Sequence, residues 1–314
     1  LFNTAHWSPD LDNAENKRFL TDFQSEYKRV PSVYAAQGYD LSVRQLHYRL
    51  VAKNLIPNTL QMYKSLVGLV TNARLAGLLD WTTIVDRHRK THRWASWGNI
   101  REFLADVKDD FSLDHWEGQP NYVEVMIEKD ALAGVVLPIC SRLHVTFTAN
   151  KGYSSSSALY RAGKRFRHEQ LVNGKELHLI YLGDHDPSGI HMTQDLADRV
   201  KLFAGPPFEF GGPAPMDINV HRIALNMDQV KKFNPPENFA KEADPRAGAY
   251  KAKFGFKCWE LDALEPEVID KLITDKVAGL RDDEAYQKVL TREKKAKAEL
   301  NNFINKKTKR KKRK

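Results

Sequence analysis

The sequence predicts an α/β protein in which a mostly parallel sheet follows a helical region. After about residue 121, short runs of strand-forming residues alternate with helical stretches, which is typical of parallel βαβ units. Before that point, residues 14–110 place apolar residues mainly at helical spacing. We therefore divide the chain into residues 1–115, 116–265, a charged helical segment at 266–305 and a basic disordered tail at 306–314.

The first part, residues 1–115, is predicted to be helical and to bind DNA. Ser42 offers an N-cap before a helix at about 44–54, Pro57 interrupts the pattern, and a second helix follows at 60–76. Residues 78–85 can form a short strand or wing. Short helices followed by a hairpin suggest a winged-helix unit, a fold that commonly enters DNA grooves.

The second part, residues 116–265, is predicted to carry the sheet. Its strands are expected at 122–127, 144–147, 177–182 and 221–225, and its helices at 131–141, 157–168 and from about 190. Helix is also expected over 262–304. In parallel sheets the functional groups gather beyond the carboxyl ends of the strands. Glu128, Asp184 and Asp186 are at such ends.

These three acids predict a site for a divalent ion. Asp184 and Asp186 are two positions apart at a strand end, so alternation points both side chains the same way. Their mutual repulsion calls for a cation, and Glu128 can supply a further oxygen from the neighbouring strand. Hard oxygen donors favour Mg²⁺ or Mn²⁺ over zinc. The alternative for the Asp-x-Asp pair is a loop cap or turn, but Pro187 and Gly189 add a rigid turn that presents the acids.

Composition narrows the class of protein. The chain has 42% hydrophobic and 28% charged residues, which is ordinary for a soluble globular protein. It has no run of about 18 uncharged apolar residues and no secretory leader pattern, so we expect no membrane span. The two cysteines are far apart in the sequence, which argues against a disulfide scaffold or a zinc site.

The positive charge lies mainly in the tail. Eight of the last nine residues are Lys or Arg, and removing them from the net charge of +9 leaves +1. Such a tail binds polyanions by counterion release without reading sequence. The alternatives to polyanion binding by this tail are a solubilising end and a nuclear-import signal.

Three segments of the second part follow the pattern of a known domain. They are residues 123–129 (VEVMIEK), 148–153 (TANKGY) and 182–190 (LGDHDPSGI). They resemble, in order, the first strand with its glutamate, the glycine loop and the metal-binding Asp-x-Asp-Pro-x-Gly segment of the Toprim domain. The likeness is to the A subunit of topoisomerase VI and its relatives, the meiotic double-strand-break proteins and the stand-alone Mini-A proteins of mobile elements. It covers about residues 40–200.

The resemblance extends to a tyrosine in the first part. Residues 41–48 (LSVRQLHY) are similar to the family's Arg-x-x-aromatic-Tyr motif, which implies Tyr48 as the nucleophile and Arg44 as its partner. A phenol with a pKa of about 10 needs its proton removed or its anion stabilised before it attacks. Judged by itself, Tyr48 also fits a half-buried helix residue. His47 replaces the usual second aromatic, and the loop at 151–154 lacks the family's Pro-Asp, so a hydrolytic relative stays open.

The implied reaction is cleavage of double-stranded DNA, with rejoining, by transfer of a 5′ phosphate to Tyr48. Mg²⁺ held by Glu128, Asp184 and Asp186 would stabilise the transition state, with Glu128 counted among the catalytic residues. In the family the tyrosine of one protomer works with the metal site of the other, which implies a homodimer. Six basic side chains are candidates for lining a positive DNA channel: Lys129, Lys151, Arg161, Lys164, Arg165 and Arg167. The last four also fit solvated helix faces.

The sequence leaves two other functions open. One is a metal-dependent Toprim endonuclease in which water replaces Tyr48, and the other is a non-catalytic DNA-binding module with a structural acidic cluster. No Gly-x-x-x-x-Gly-Lys-Ser/Thr loop occurs, so we expect this chain to bind no ATP. A separate ATPase subunit as its partner stays open. The expected location is the cytoplasm and nucleoid of a prokaryote, phage or mobile element, or the nucleus in a eukaryote.

Overall fold

The computed structural model describes residues 42–53, 55–75, 79, 84, 94–206, 215–239 and 244–311. We number the elements along these residues. They are α1 (Val43–Ala52), α2 (Leu60–Leu75), α3 (Ile100–Asp110), β1 (Asn121–Ile127), α4 (Ala133–Leu143), β2 (Thr146–Ala149), α5 (Ser156–Asn173), β3 (Glu176–Leu182), α6 (Pro187–Ala204), β4 (Asn219–Ala224), α7 (Met227–Phe233), β5 (Asn238–Phe239), α8 (Ala247–Phe254), β6 (Lys257–Cys258), α9 (Pro266–Ala278) and α10 (Asp283–Lys311). Short 3₁₀ turns occur at Asp130–Leu132 and Leu261–Ala263.

Four parallel strands form the main sheet, in the order β2-β1-β3-β4. A helix lies between each strand and the next along the chain, as parallel strands require. The register pairs Ile127 of β1 with Ala149 of β2 and with Leu182 of β3, so these three strands end at one edge. The predicted α/β class with a parallel sheet is confirmed.

Both faces of the sheet are buried, as the continuous apolar runs in its strands require. On one face, Val125 and Ile127 pack into a core with buried residues of α4 and α9. On the other, Met126 and Tyr181 pack with residues of α5 and α6. With helices on both faces, the ends of the strands are the part of the sheet left open to solvent.

Gly163 lets α5 and the end of α6 approach closely. A Cβ at this position would lie 2.6 Å from the carbonyl carbon of Phe203, which is backbone and cannot turn aside. We expect Gly163→Ala to lower the free energy of unfolding by about 1–3 kcal/mol, measured by chemical denaturation.

Gly248→Ala is the matched control, because a Cβ at Gly248 in α8 meets nothing within 4 Å. It should be neutral or stabilise by up to about 1 kcal/mol, since alanine favours helix more than glycine does. Equal losses from both substitutions would contradict the close approach at Gly163.

The helical part matches its prediction where it is described. Ser42 caps α1 in a capping box with Gln45, and α2 has almost the predicted bounds. Of the hairpin predicted at 78–85, only Leu79 and Ile84 are described. The rest of that hairpin, and the helical pattern before residue 42, lie outside the described residues, so the winged helix stays a prediction.

Two predicted element ends differ from the structure for local reasons. The strand predicted at 144–147 begins at Thr146, because His144 ends α4 in the left-handed conformation with φ 53°. The helix predicted from about 190 begins at Pro187, directly after its N-cap Asp186.

The C-terminal segment forms two helices instead of one continuous stretch. Helix α9 ends before Gly279, and α10 begins four residues later. Glu293 of α10 accepts hydrogen bonds from the backbone N of Leu113 (3.0 Å) and the hydroxyl of Ser112 (3.2 Å). Helix α10 is therefore tied to the segment that leads into β1. Among the described residues, every helix is too short or too polar to cross a bilayer.

Candidate active site

The structure brings Glu128 and Asp184 together at the edge where β1 and β3 end. Glu128 directly follows β1, and Asp184 lies two residues beyond the end of β3. The Oε2 atom of Glu128 accepts a hydrogen bond of 2.8 Å from the backbone N of Asp184. The winding of the sheet reverses between β1 and β3, which is where ligands bind in sheets of this kind.

Asp186 caps the helix that follows. Its Oδ1 atom accepts hydrogen bonds from the backbone N of Gly189 (2.6 Å) and the hydroxyl of Ser188 (3.1 Å). The cap that was the alternative to an ion site for the Asp-x-Asp pair is therefore present at Asp186. Asp186 is also close enough to act on Glu128, because burial and then the charge of Asp186 raise the pKa of Glu128.

The Asp184 carboxylate is buried and held by two donors. Its Oδ1 atom accepts from the backbone N of Leu261 (2.8 Å), and its Oδ2 atom lies 2.7 Å from the ammonium of Lys129. Burial raises the pKa of Asp184, and the charges of Glu128 and Asp262 add to this rise against the opposing effect of Lys129. Excess negative charge is thus concentrated here.

The carboxylates are not yet arranged as a coordination shell. In the part of the chain that the structure describes, no three His, Cys, Asp or Glu side chains surround a common point as metal ligands. An ion shared by the three predicted acids therefore requires some rearrangement of their side chains.

Position 189 requires glycine for a steric reason. A Cβ there would overlap the carbonyl oxygen of Asp184 and approach Oε2 of Glu128 to 3.1 Å. The first turn of α6 can lie against the acidic strand ends only without this side chain. The Asp-x-Asp-Pro-x-Gly pattern thus describes one rigid unit.

A segment that the sequence analysis left without a function also joins the site. Trp259 and His185 exchange two backbone hydrogen bonds, of 2.8 and 2.9 Å, which bring Glu260 and Asp262 beside Asp184. The side chain of Asp262 is 2% exposed, and neither of its oxygens makes a hydrogen bond to any described residue. Asp262 follows Glu260 by two positions, the same spacing as in the Asp-x-Asp pair. This repeated spacing is the sequence signal that could have indicated a second acidic pair at the site.

Glu260 is the common partner of three groups, all of them predicted to be functional. Its carboxylate accepts hydrogen bonds from Nη2 of Arg44 (3.0 and 3.2 Å to the two oxygens) and from Nζ of Lys129 (2.6 Å). The charge of Glu260 also acts on Tyr48, whose ring centroid lies 6.0 Å from the Arg44 guanidinium. Burial and the charge of Glu260 raise the pKa of Tyr48, so this arrangement holds Tyr48 as a neutral phenol.

Arg222 of β4 supplies a further positive charge that the sequence did not reveal. Its guanidinium donates to the backbone carbonyls of Asp184 (2.6 Å) and Gly183 (3.1 Å), and to the hydroxyl of Thr193. Fully ionised, this connected cluster has five carboxylates and three cations, a net charge of −2. Its members are Glu128, Asp184, Asp186, Glu260, Asp262, Arg44, Lys129 and Arg222.

The six predicted DNA-binding side chains have different environments. Lys129 lies inside the acidic cluster, as described above. Arg165 makes a double hydrogen bond to the buried carboxylate of Glu124 (2.7 and 2.8 Å), and Arg167 donates to backbone carbonyls at the end of α6. These two arginines thus hold α5 to its neighbours. The exposed members are Lys151, Arg161 and Lys164. DNA binding by any of the six stays a prediction.

Comparison of the chain with protein-family models, with curated proteins and with solved structures found no match. The chemistry of the site is therefore argued from its own residues.

Proposed function

We propose that this protein cleaves double-stranded DNA, with a divalent ion at the acidic strand ends and Tyr48 as the nucleophile. One observation carries the proposal: contacts within one chain lead from Tyr48 to the predicted ion site, whereas the resemblance implies pairing between protomers. The ring of Tyr48 lies beside the Arg44 guanidinium, 6.0 Å from its centroid, and Arg44 pairs with Glu260. Glu260 in turn pairs with Lys129, and Lys129 pairs with Asp184.

The donor chemistry of the site suits Mg²⁺ or Mn²⁺. The predicted ligands are all carboxylate oxygens, which hard divalent ions prefer. When fully ionised, this largely buried cluster has a net charge of −2, which equals the charge that one divalent ion neutralises. The residues that would hold the ion are Glu128, Asp184 and Asp186. When bound, it stabilises the charge that develops on the phosphoryl oxygens.

The chain's own residues supply the rest of the reaction. The Oη atom of Tyr48 forms a bond to phosphorus as the bond from phosphorus to the 3′ oxygen breaks. The phenolic proton passes to water, and the 3′ oxygen takes up a proton from water. Arg44 is placed to hold the phosphate and to stabilise the phenolate, because its guanidinium lies 6.0 Å from the Tyr48 ring centroid and its charge favours the ionised phenol. The new phosphotyrosine bond allows resealing by the reverse reaction without ATP.

Supercoiled plasmid incubated with the protein and Mg²⁺, then quenched with detergent and treated with protease, tests this proposal. We expect nicked and linear DNA that carries protein on its 5′ ends before protease treatment, and none of these products with EDTA. Two cuts on opposite strands would support the predicted homodimer. A separate ATPase chain and a place in the nucleoid or nucleus stay predictions from the sequence.

A hydrolytic endonuclease is the second candidate, and one observation favours it. Burial, and after it the charge of Glu260, raise the pKa of Tyr48 and keep the phenol neutral, a state that a water nucleophile would leave undisturbed. Unmodified 5′-phosphate ends, together with full activity of Tyr48→Phe, would establish this candidate. Lack of cleavage with any divalent ion would favour a non-catalytic DNA-binding module instead.

A further inference from the structure

The groups around Glu260 are those that bind a phosphate. A guanidinium and an ammonium, from Arg44 and Lys129, donate to its carboxylate. The phenol ring of Tyr48 lies beside the guanidinium, with its centroid 6.0 Å away. Arginine binds carboxylates and phosphates with the same planar fork of N–H groups. The carboxylate of Glu260 is therefore an internal anion within a set of donors that suits a phosphodiester.

We propose that Glu260 occupies the place of a DNA backbone phosphate and that this phosphate displaces it when duplex DNA binds. The inference rests on the proposed function, because it takes DNA as the substrate of Tyr48 and the acidic strand ends. It assigns Glu260 the role of a competitive latch that covers Tyr48 and Arg44 until DNA arrives.

The positive side chains have other partners that remain when Glu260 leaves. The carboxylate of Asp262 lies 3.7 Å from Nε of Arg44 and 3.8 Å from Nζ of Lys129. Asp184 lies 2.7 Å from the same ammonium. Because Asp262 is buried, its carboxylate stays beside the two cations when Glu260 leaves. The donor set thus persists for a new anion.

The exchange can take place from solvent. The side chain of Arg44 is 47% exposed and that of Glu260 is 19% exposed, whereas Asp262 is inaccessible. Glu260 is therefore the outer of the two acids, the one that an incoming phosphate meets first. Once a phosphate replaces it, the hydroxyl of Tyr48 faces phosphorus instead of a carboxylate.

The test is the affinity of the full chain for a short DNA duplex, measured by fluorescence anisotropy in EDTA so that no cleavage occurs. We expect Glu260→Gln to bind about tenfold more tightly than the wild type, since it removes a competing anion from the phosphate site. Glu265→Gln is the matched control. The carboxylate of Glu265 pairs at 2.6 Å with Arg49, which lies on α1 as Arg44 does. The side chain of Glu265 is 46% exposed. Its substitution should change affinity by less than about threefold.

Two further measurements secure the interpretation. Adding Arg44→Gln to Glu260→Gln should remove the gain in affinity, because the phosphate then loses its main donor. Glu260→Ala checks that the gain does not come from the new amide. Folded Glu260→Gln and Glu260→Ala proteins that bind DNA no more tightly than Glu265→Gln would overturn the proposal.

A structure of the wild-type protein with duplex DNA gives a check that needs no variant. It should show a phosphate oxygen within about 3 Å of the Arg44 guanidinium, with Glu260 turned away. Glu260 still bonded to Arg44 in that complex would overturn the latch. If the wild type cleaves DNA but the variants do not bind it more tightly, only the latch is wrong. If the variants bind more tightly but no cleavage occurs, the proposed function is wrong and the phosphate site stands.

Discussion

Replacing Tyr48 by phenylalanine is expected to abolish the covalent DNA–protein product and to reduce plasmid cleavage at least about a thousandfold. The ring of Tyr48 is buried and packs edge-on against His47 at 5.6 Å between centroids, so phenylalanine keeps the packing. Only the hydroxyl, the proposed attacking atom, is lost. The free energy of unfolding should change by no more than about 1–2 kcal/mol, the range of one hydrogen bond.

Tyr63→Phe is the matched control for this prediction. Tyr63 of α2 also packs edge-on against His47, at 5.7 Å between centroids, and has no role in the proposed reaction. It should cleave plasmid as the wild type does. If Tyr48→Phe does so too, with unmodified 5′-phosphate ends, the tyrosine mechanism is wrong and the hydrolytic candidate takes its place.

Glu128→Gln and Asp184→Asn are each expected to reduce cleavage at least about a thousandfold, because a neutral amide binds a hard divalent ion poorly. Both substitutions keep the size of the side chain. Each also removes a carboxylate whose burial, with the repulsion of its neighbours, raises its pKa, so in EDTA each variant should be at least as stable as the wild type.

The same variants should change the response of stability to Mg²⁺. An ion that binds only the folded protein raises its melting temperature with concentration. We expect this rise in the wild type and in Glu117→Gln, a control at an exposed acid that pairs with Arg292. We expect no such rise in Glu128→Gln. Equal rises in all three proteins, or an active Glu128→Gln, would mean that the ion binds elsewhere.

The parts of the site that could be predicted are those encoded by local pattern. Glu128 follows a run of strand formers, and the Asp-x-Asp-Pro-x-Gly segment follows another, so the rules of parallel sheets suffice to put them at one edge. The N-cap Ser42 and the helix it begins are equally local. For such elements the period of apolar residues decides the structure.

The parts that could not be predicted depend on contacts between distant residues. Glu260 and Asp262 reach the site through the backbone pairing of Trp259 with His185, which are more than 70 positions apart. Arg222 falls in a predicted strand, but its reach to the carbonyls of residues 183 and 184 depends on the strand order. The pairing of Arg165 with Glu124 likewise requires knowing which helix covers which strand.

Anomalous diffraction from crystals of the wild-type protein grown with Mn²⁺ tests the central claim most directly. The predicted result is a manganese peak coordinated by carboxylate oxygens of both Glu128 and Asp184, at about 2.0–2.3 Å, with Asp186 directly or through water in the same shell. At saturating Mn²⁺, an absence of manganese between these strand ends would contradict an ion-dependent reaction at this edge of the sheet.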